Sequence, residues 1–258
     1  MSVAPYLNFR VDHMTLLLQP KFYNVAYVLF RTVFGVGPKD LIYEKRKEWD
    51  AGKGDVSMTY AVRLGKGLGN APTNGDVVHD ATLGQTIVAV VQPSEPVSMP
   101  SHVREMLDKH RAAAHWQHIA LQTSDLLGFY EHASRLGVQF ITPILRDEAD
   151  DLIQVFSGEW FFPGSEPSGL FFEFLQRNPS QALLQQIEMH REAWFRDKTF
   201  LGLYGEKERE YQSGSVTPFI SFATFDQLYD KVGRKQVWEI DEADLQFCRS
   251  VLMDSAKR

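Results

Sequence analysis

This chain states one phrase twice, and that repetition restricts its fold more than any other feature. VDHMTLL at 11–17 returns as WQHIALQ at 116–122: a polar residue, a histidine, then apolar residues alternating with small or polar ones. Alternation with period two marks a half-buried strand. A phrase repeated at this distance marks one supersecondary unit used twice. In the first copy, residues 9–18 read as a strand. Pro20 permits a helix on which Phe22, Ala26, Leu29, Phe30 and Val33 recur at helical spacing, and Gly35 stops it. Extended segments are expected near 40–45, 56–64 and 85–92. A Gly-rich insert, 65–84, precedes the last of them and reads as a long loop. In the second copy, a strand over 116–123 leads to Ser124-Asp125, an N-cap, then a helix over 126–136 that stops at Gly137. Strands are expected near 138–142, 151–157 and 169–176.

Both copies therefore read β-α-β-β-β. One such four-stranded unit cannot bury both of its faces alone. The expected fold is α+β, with two tandem β-α-β-β-β modules forming a half-open mixed β-barrel and a mainly helical C-terminal extension. The first module occupies 1–95 and the second 115–177. A linker over 96–114 carries the helix VREMLDKHRAA, and the extension is 178–258. Within it, Ser180 caps a helix running to about 196. Asp241 caps a last helix with Leu245, Cys248, Val251 and Leu252 on one face. Trp194 and Phe195 are expected to pack this tail onto the barrel mouth.

Composition narrows the function classes. The chain has 258 residues, a net charge of -6, and 44% hydrophobic and 23% charged residues, as soluble globular domains do. It lacks the basic excess of a broad nucleic-acid or anionic-membrane footprint. The single cysteine, Cys248, permits no internal disulfide and suits a reducing compartment. No basic segment followed by an apolar core opens the chain, and the longest apolar stretch, VAYVLF at 25–30, is too short to span a bilayer. A cytoplasmic protein without nucleic-acid or membrane partners is expected, and self-association into a homo-oligomer stays open.

A third phrase, GLFFEFLQR at 169–177, sets Glu173 inside an apolar strand. Taken singly, a strand histidine is most often a hydrogen-bonded core residue, and Glu173 could pair with an arginine. Taken together, His13 and His118 hold equivalent places in two repeats, and Glu173 lies in the last strand of the second. The matching strand of the first repeat, TIVAVVQ at 86–92, offers no ligand. Three protein ligands leave coordination positions open. Two imidazoles and one carboxylate favour non-heme Fe(II), with Zn or Mn as alternatives. If the three ligands share the inner side of their strands, Thr15, Trp116, Ala120, Phe171 and Leu175 line the same side.

The repeated pattern resembles the vicinal oxygen chelate superfamily, known also as the glyoxalase fold. More narrowly, VDH at 11–13, QHIAL at 117–121, LIQVF at 152–156 and FFEFLQR at 171–177 resemble the catalytic half of the 4-hydroxyphenylpyruvate dioxygenase family. The resemblance covers residues 9–177 with gaps and is stronger in the second repeat. It implies iron ligands at His13, His118 and Glu173, and a substrate-facing Gln154. It places His102, after Pro100-Ser101, at a substrate-contacting position, with Phe171 and Trp116 walling the pocket and no catalytic residue beyond the metal ligands. The implied reaction is an oxidoreductase's. A small bidentate substrate, either a 2-oxo acid such as a 4-hydroxyphenylpyruvate-like compound or a catechol, takes two metal positions and O2 the last. The alternatives are a divalent-metal isomerase, lyase or dehydratase of the same superfamily, or a non-enzymatic small-molecule binding module. His110, His115 and His132 read as surface residues, and His79, in the Gly-rich insert, as able to visit the cavity.

Overall fold

Leu16 and Leu18 project from one side of strand β1 (Arg10–Leu18), and His13, Thr15 and Leu17 from the other. This alternation organises the first half of the chain. The computed structural model describes residues 5–64, 72–73, 76–77, 86–148, 151–189 and 199–256. The Gly-rich insert, apart from its two short strands, and His79, Trp194 and Phe195 lie outside the described residues. The chain divides into two compact units, one Val11–Ile119 and the other Ala120–Arg258 with Met1–Arg10.

In the first unit, β1 leads into helix α1 (Pro20–Thr32), which has Pro at its start and is followed by Gly35 at φ +66°. Strands β2 (Leu41–Glu48) and β3 (Asp55–Leu64) form a hairpin. A two-stranded pair, β4 (Pro72–Thr73) and β5 (Asp76–Val77), follows. Strand β6 (Thr86–Val91) then inserts between β3 and β1, antiparallel to the former and parallel to the latter. The register aligns Thr15, Ala89 and Ala61, so small side chains share the side that carries His13. The opposite side packs Tyr60, Val62, Val88 and Val90 against Leu18, Tyr23 and Ala26.

Helix α1 buries only part of its apolar set. Tyr23 and Ala26 are buried, with Tyr27 and Phe30 packed beside them. Phe22, Leu29 and Val33 are 47%, 43% and 68% exposed. Both stripes have helical period, and the tyrosines decide between them. The Tyr23 hydroxyl bonds Ser57 Oγ at 2.8 Å, and Tyr23 and Tyr27 both meet the edge of Tyr60. Burial pushes the Tyr23 phenol up to about 12. Helix α2 (His102–Lys109), capped by Ser101, and the first part of β7 (Ala114–Gln122) complete the unit.

The second unit repeats the plan. From β7 the chain enters helix α3 (Leu126–Arg135). The Asp125 carboxylate caps it by accepting from the Gly128 N–H at 2.9 Å, and Gly137 at φ +73° ends it. Strands β8 (Leu145–Asp147), β9 (Leu152–Phe156) and β10 (Phe171–Arg177) follow. The strand expected near 138–142 does not form. Val138 and Phe140 make isolated bridges to Ile220 and Ser157, and Pro143, without an N–H, precedes the real strand. Phe174, Ile153 and Val155 pack on Leu126, Leu184 and Ile187. The eight long strands form one mixed sheet in the order β2-β3-β6-β1-β7-β10-β9-β8, so each module orders its strands alike. This is the α+β architecture expected from the repeat.

After β10 come helices α4 (Gln181–Met189), α5 (Thr199–Ser213), α6 (Phe222–Val232) and α7 (Glu242–Ser255). Asp241 caps α7 as expected, but Leu245 is 54% exposed and Asp244 is the buried residue beside it. No helix of the described residues is long and apolar enough to cross a membrane.

Candidate metal centre

Strand alternation delivers His13 and Thr15 to the same side of β1, and His118 to the β7 side that also carries Trp116 and Ala120. His118 is 6% exposed and the His13 side chain 20%. Their Nε2 atoms lie 3.4 Å apart, with the ring planes at 79°. Two nitrogens bound to one ion at about 2.1 Å each, at right to tetrahedral angles, would sit roughly 3.0–3.4 Å apart. The pair therefore fits a shared cation.

Asp12 accepts a hydrogen bond from Nδ1 of His13 at 3.0 Å. With the proton on Nδ1, the ring carries its lone pair on Nε2, the atom that faces His118. Sequence reasoning passed over Asp12, because neighbours on a strand point to opposite faces. The adjacent VDH phrase was the available signal. Thr15 Oγ1 lies 2.9 Å from Nε2 of His118. Its hydroxyl can donate to that lone pair, so it competes with any cation there.

Glu173 sits mid-strand in β10 and is 3% exposed. Phe171 (0% exposed) and Leu175 share its side, and Phe172 and Phe174 take the other. A carboxylate in such surroundings is costly to bury unless charge or hydrogen bonds answer it. The antiparallel register sets Glu173 opposite Phe156 and Leu175 opposite Gln154, which puts the Gln154 amide on the Glu173 side. His13, His118 and Glu173 each offer one ligand atom, and the three atoms lie within 4.8 Å of one another. The donor set and the spacing suit a divalent cation.

Of the other expected site residues, Trp116 shares the His118 side, and Phe171 and Gln154 share the Glu173 side, whereas His102 lies elsewhere. His102 is 1% exposed and lies against Gln117, with Nε2 to Nε2 at 3.5 Å. Gln117 alternates with His118, so His102 packs on the side of β7 turned away from His118. Trp116 is 44% exposed. His110, His115 and His132 are half-buried rather than superficial. The first two rings lie 4.8 Å apart and tilted by 31°, and His132 lies against Tyr6, where burial lowers its pKa.

No protein-family model and no curated protein matches the sequence. Among solved structures, the chain is similar to a mutant of 4-hydroxymandelate synthase from Streptomyces coelicolor. The identity is 18% and the TM-score 0.45, over 71% of this chain and 55% of the synthase, so the chain spans about half that protein's length. It is also similar to methylmalonyl-CoA epimerase from Streptomyces coelicolor, at 16% identity and TM-score 0.41, over 66% of this chain and 98% of the epimerase. The Mycobacterium tuberculosis epimerase gives 17% identity and TM-score 0.41, over 70% and 95%.

Proposed function

We propose that this chain is a non-heme Fe(II)-dependent dioxygenase acting on a small bidentate substrate, a 2-oxo acid or a catechol. The observation that supports this reading is the donor set itself: two imidazoles and one carboxylate whose ligand atoms lie within 4.8 Å of one another. Such a set leaves open positions, and an iron held by it would supply the redox chemistry with O2. The protein's own part is orientation and exclusion of water. Asp12 fixes the His13 ring through Nδ1, and Thr15 holds the His118 ring until a ligand replaces its hydrogen bond. Phe171 keeps the Glu173 side apolar, and the Gln154 amide is available to orient the polar end of a substrate.

Elemental analysis of anaerobically prepared protein, followed by oxygen uptake with a panel of 2-oxo acids and catechols, tests the reading. Stoichiometric iron and substrate-dependent uptake are expected. Turnover without oxygen uptake would instead assign the site to Lewis-acid isomerase, lyase or dehydratase chemistry. Absence of bound metal would leave a binding module.

A further inference from the structure

The buried stripe of α5 runs Leu203, Lys207, Tyr211, one residue per turn, and its centre is a lysine with no exposed surface. The Lys207 ammonium pairs with the Glu159 carboxylate, also fully buried, and with Glu210 Oε2 at 2.7 Å. The Tyr211 hydroxyl donates to Glu159 Oε1 at 3.1 Å, and the Gly169 N–H to Oε2 at 2.8 Å. The Thr217 N–H donates to Glu210 Oε1 at 3.0 Å. Each of the three charged groups therefore has at least two partners. It sits on the Glu173 side of β10, since the Lys207 ammonium lies 5.5 Å from the centre of the Phe171 ring. Leu203 packs into the same cluster with Leu145, Phe156 and Phe171.

Apolar side chains would fill this volume at comparable stability, because desolvating three charges offsets much of their attraction. What a multiply bonded ionic network adds is a fixed position. We propose that Lys207 is a positioning residue for the metal ligand Glu173. It fixes the Phe171 ring, and the ring fixes the β10 backbone two residues before the carboxylate. This rests on the metal reading above.

Cobalt(II) alone is the probe, titrated by its ligand-field absorbance. Lys207→Met should lower Co(II) affinity about tenfold and alter the band positions, the size of effect that supporting residues have at metal sites. If the two uncompensated carboxylates prevent folding, the triple variant Glu159→Gln, Lys207→Met, Glu210→Gln removes all three charges and should show the same loss. Phe171→Leu leaves the network whole, breaks the ring contact and should do likewise. Ile153→Val, in the core on the other side of the same sheet, controls for stability and should leave affinity and spectrum unchanged. A wild-type protein that takes up no Co(II) refutes the metal reading, and this proposal with it. A wild-type protein that binds Co(II), with Phe171→Leu or a folded Lys207 variant binding it identically, overturns the positioning role alone. So does a loss in Ile153→Val equal to theirs.

Discussion

The Nε2 atoms of His13 and His118 approach to 3.4 Å, although 105 positions separate the residues in the chain. Each imidazole is tethered by a different neighbour, His13 at Nδ1 by Asp12 and His118 at Nε2 by Thr15. The two rings are therefore unequally prepared for a cation, and separate substitutions can test them.

For His13, the tether helps. The Asp12 carboxylate holds the proton on Nδ1, orients the ring and raises the basicity of Nε2. Asp12→Ala should lower divalent-metal affinity by about 10–100-fold while changing the far-ultraviolet circular dichroism little. Competition titration against a chelator measures this. An unchanged dissociation constant would mean that the Asp12 contact is incidental.

For His118, the tether opposes binding. A cation on Nε2 must displace the Thr15 hydroxyl, whose hydrogen bond is worth about 1 kcal/mol net. Thr15→Val removes the competitor at nearly constant volume, so affinity should rise roughly fivefold, the equivalent of that energy. The same titration reads it. A fall in affinity would show that Thr15 instead supports the bound state.

The contrast between the repeat and α5 shows what sequence reading can reach. His13 and His118 were legible because strand period is local: every second residue faces one way, and the phrase occurs twice. Glu173 stood out as one charge in an apolar run. The buried face of α5 had no such signature, because a lysine interrupts its apolar stripe. Its burial depends on Glu159, 48 residues earlier, reckoned from 207 and 159. The buried face of α1 is set by a related effect. Two apolar stripes competed, and the choice was made by Ser57 and Tyr60, on a strand the helix only meets in the fold. His102 turned away from His118 because Gln117, next to the ligand in sequence, faces the opposite side.

Gly158 tests the seat of the Lys207 network without touching a charge. A Cβ there would meet the Pro218 carbonyl oxygen at 2.2 Å and the Thr217 carbonyl oxygen at 2.8 Å. These are backbone atoms of a segment held by the Glu159 N–H to Thr217 carbonyl and Phe219 N–H to Glu159 carbonyl bonds. Gly158→Ala must push that segment away, at a cost of about 1–3 kcal/mol. The melting temperature should fall by roughly 3–10 °C. Amide exchange should quicken in α5, whose Glu210 is tied to the same segment through Thr217. A variant as stable as wild type would show that the segment yields without resistance.

Asp244 makes the acid limb of the stability profile testable. Its carboxylate receives Lys235 first, then the Asp241 N–H at 3.1 Å, then Lys231, 3.1 Å from Oδ1. Together they hold its pKa well below the usual carboxylate range. The folded state thus ionises Asp244 more readily than the unfolded chain does. The stability this adds is fully present above the ordinary carboxylate value of about 4, and is lost as pH falls from there toward the depressed folded value. Urea unfolding of wild type and Asp244→Asn at pH 7 and at pH 3 should therefore show a stability gap that narrows on acidification. The N-cap bond from the Asp244 N–H to Asp241 Oδ1, at 2.8 Å, is kept in the variant, so the changing part of the gap reports the carboxylate's charge. A gap equal at both pH values would mean that the two lysines contribute through packing rather than through charge.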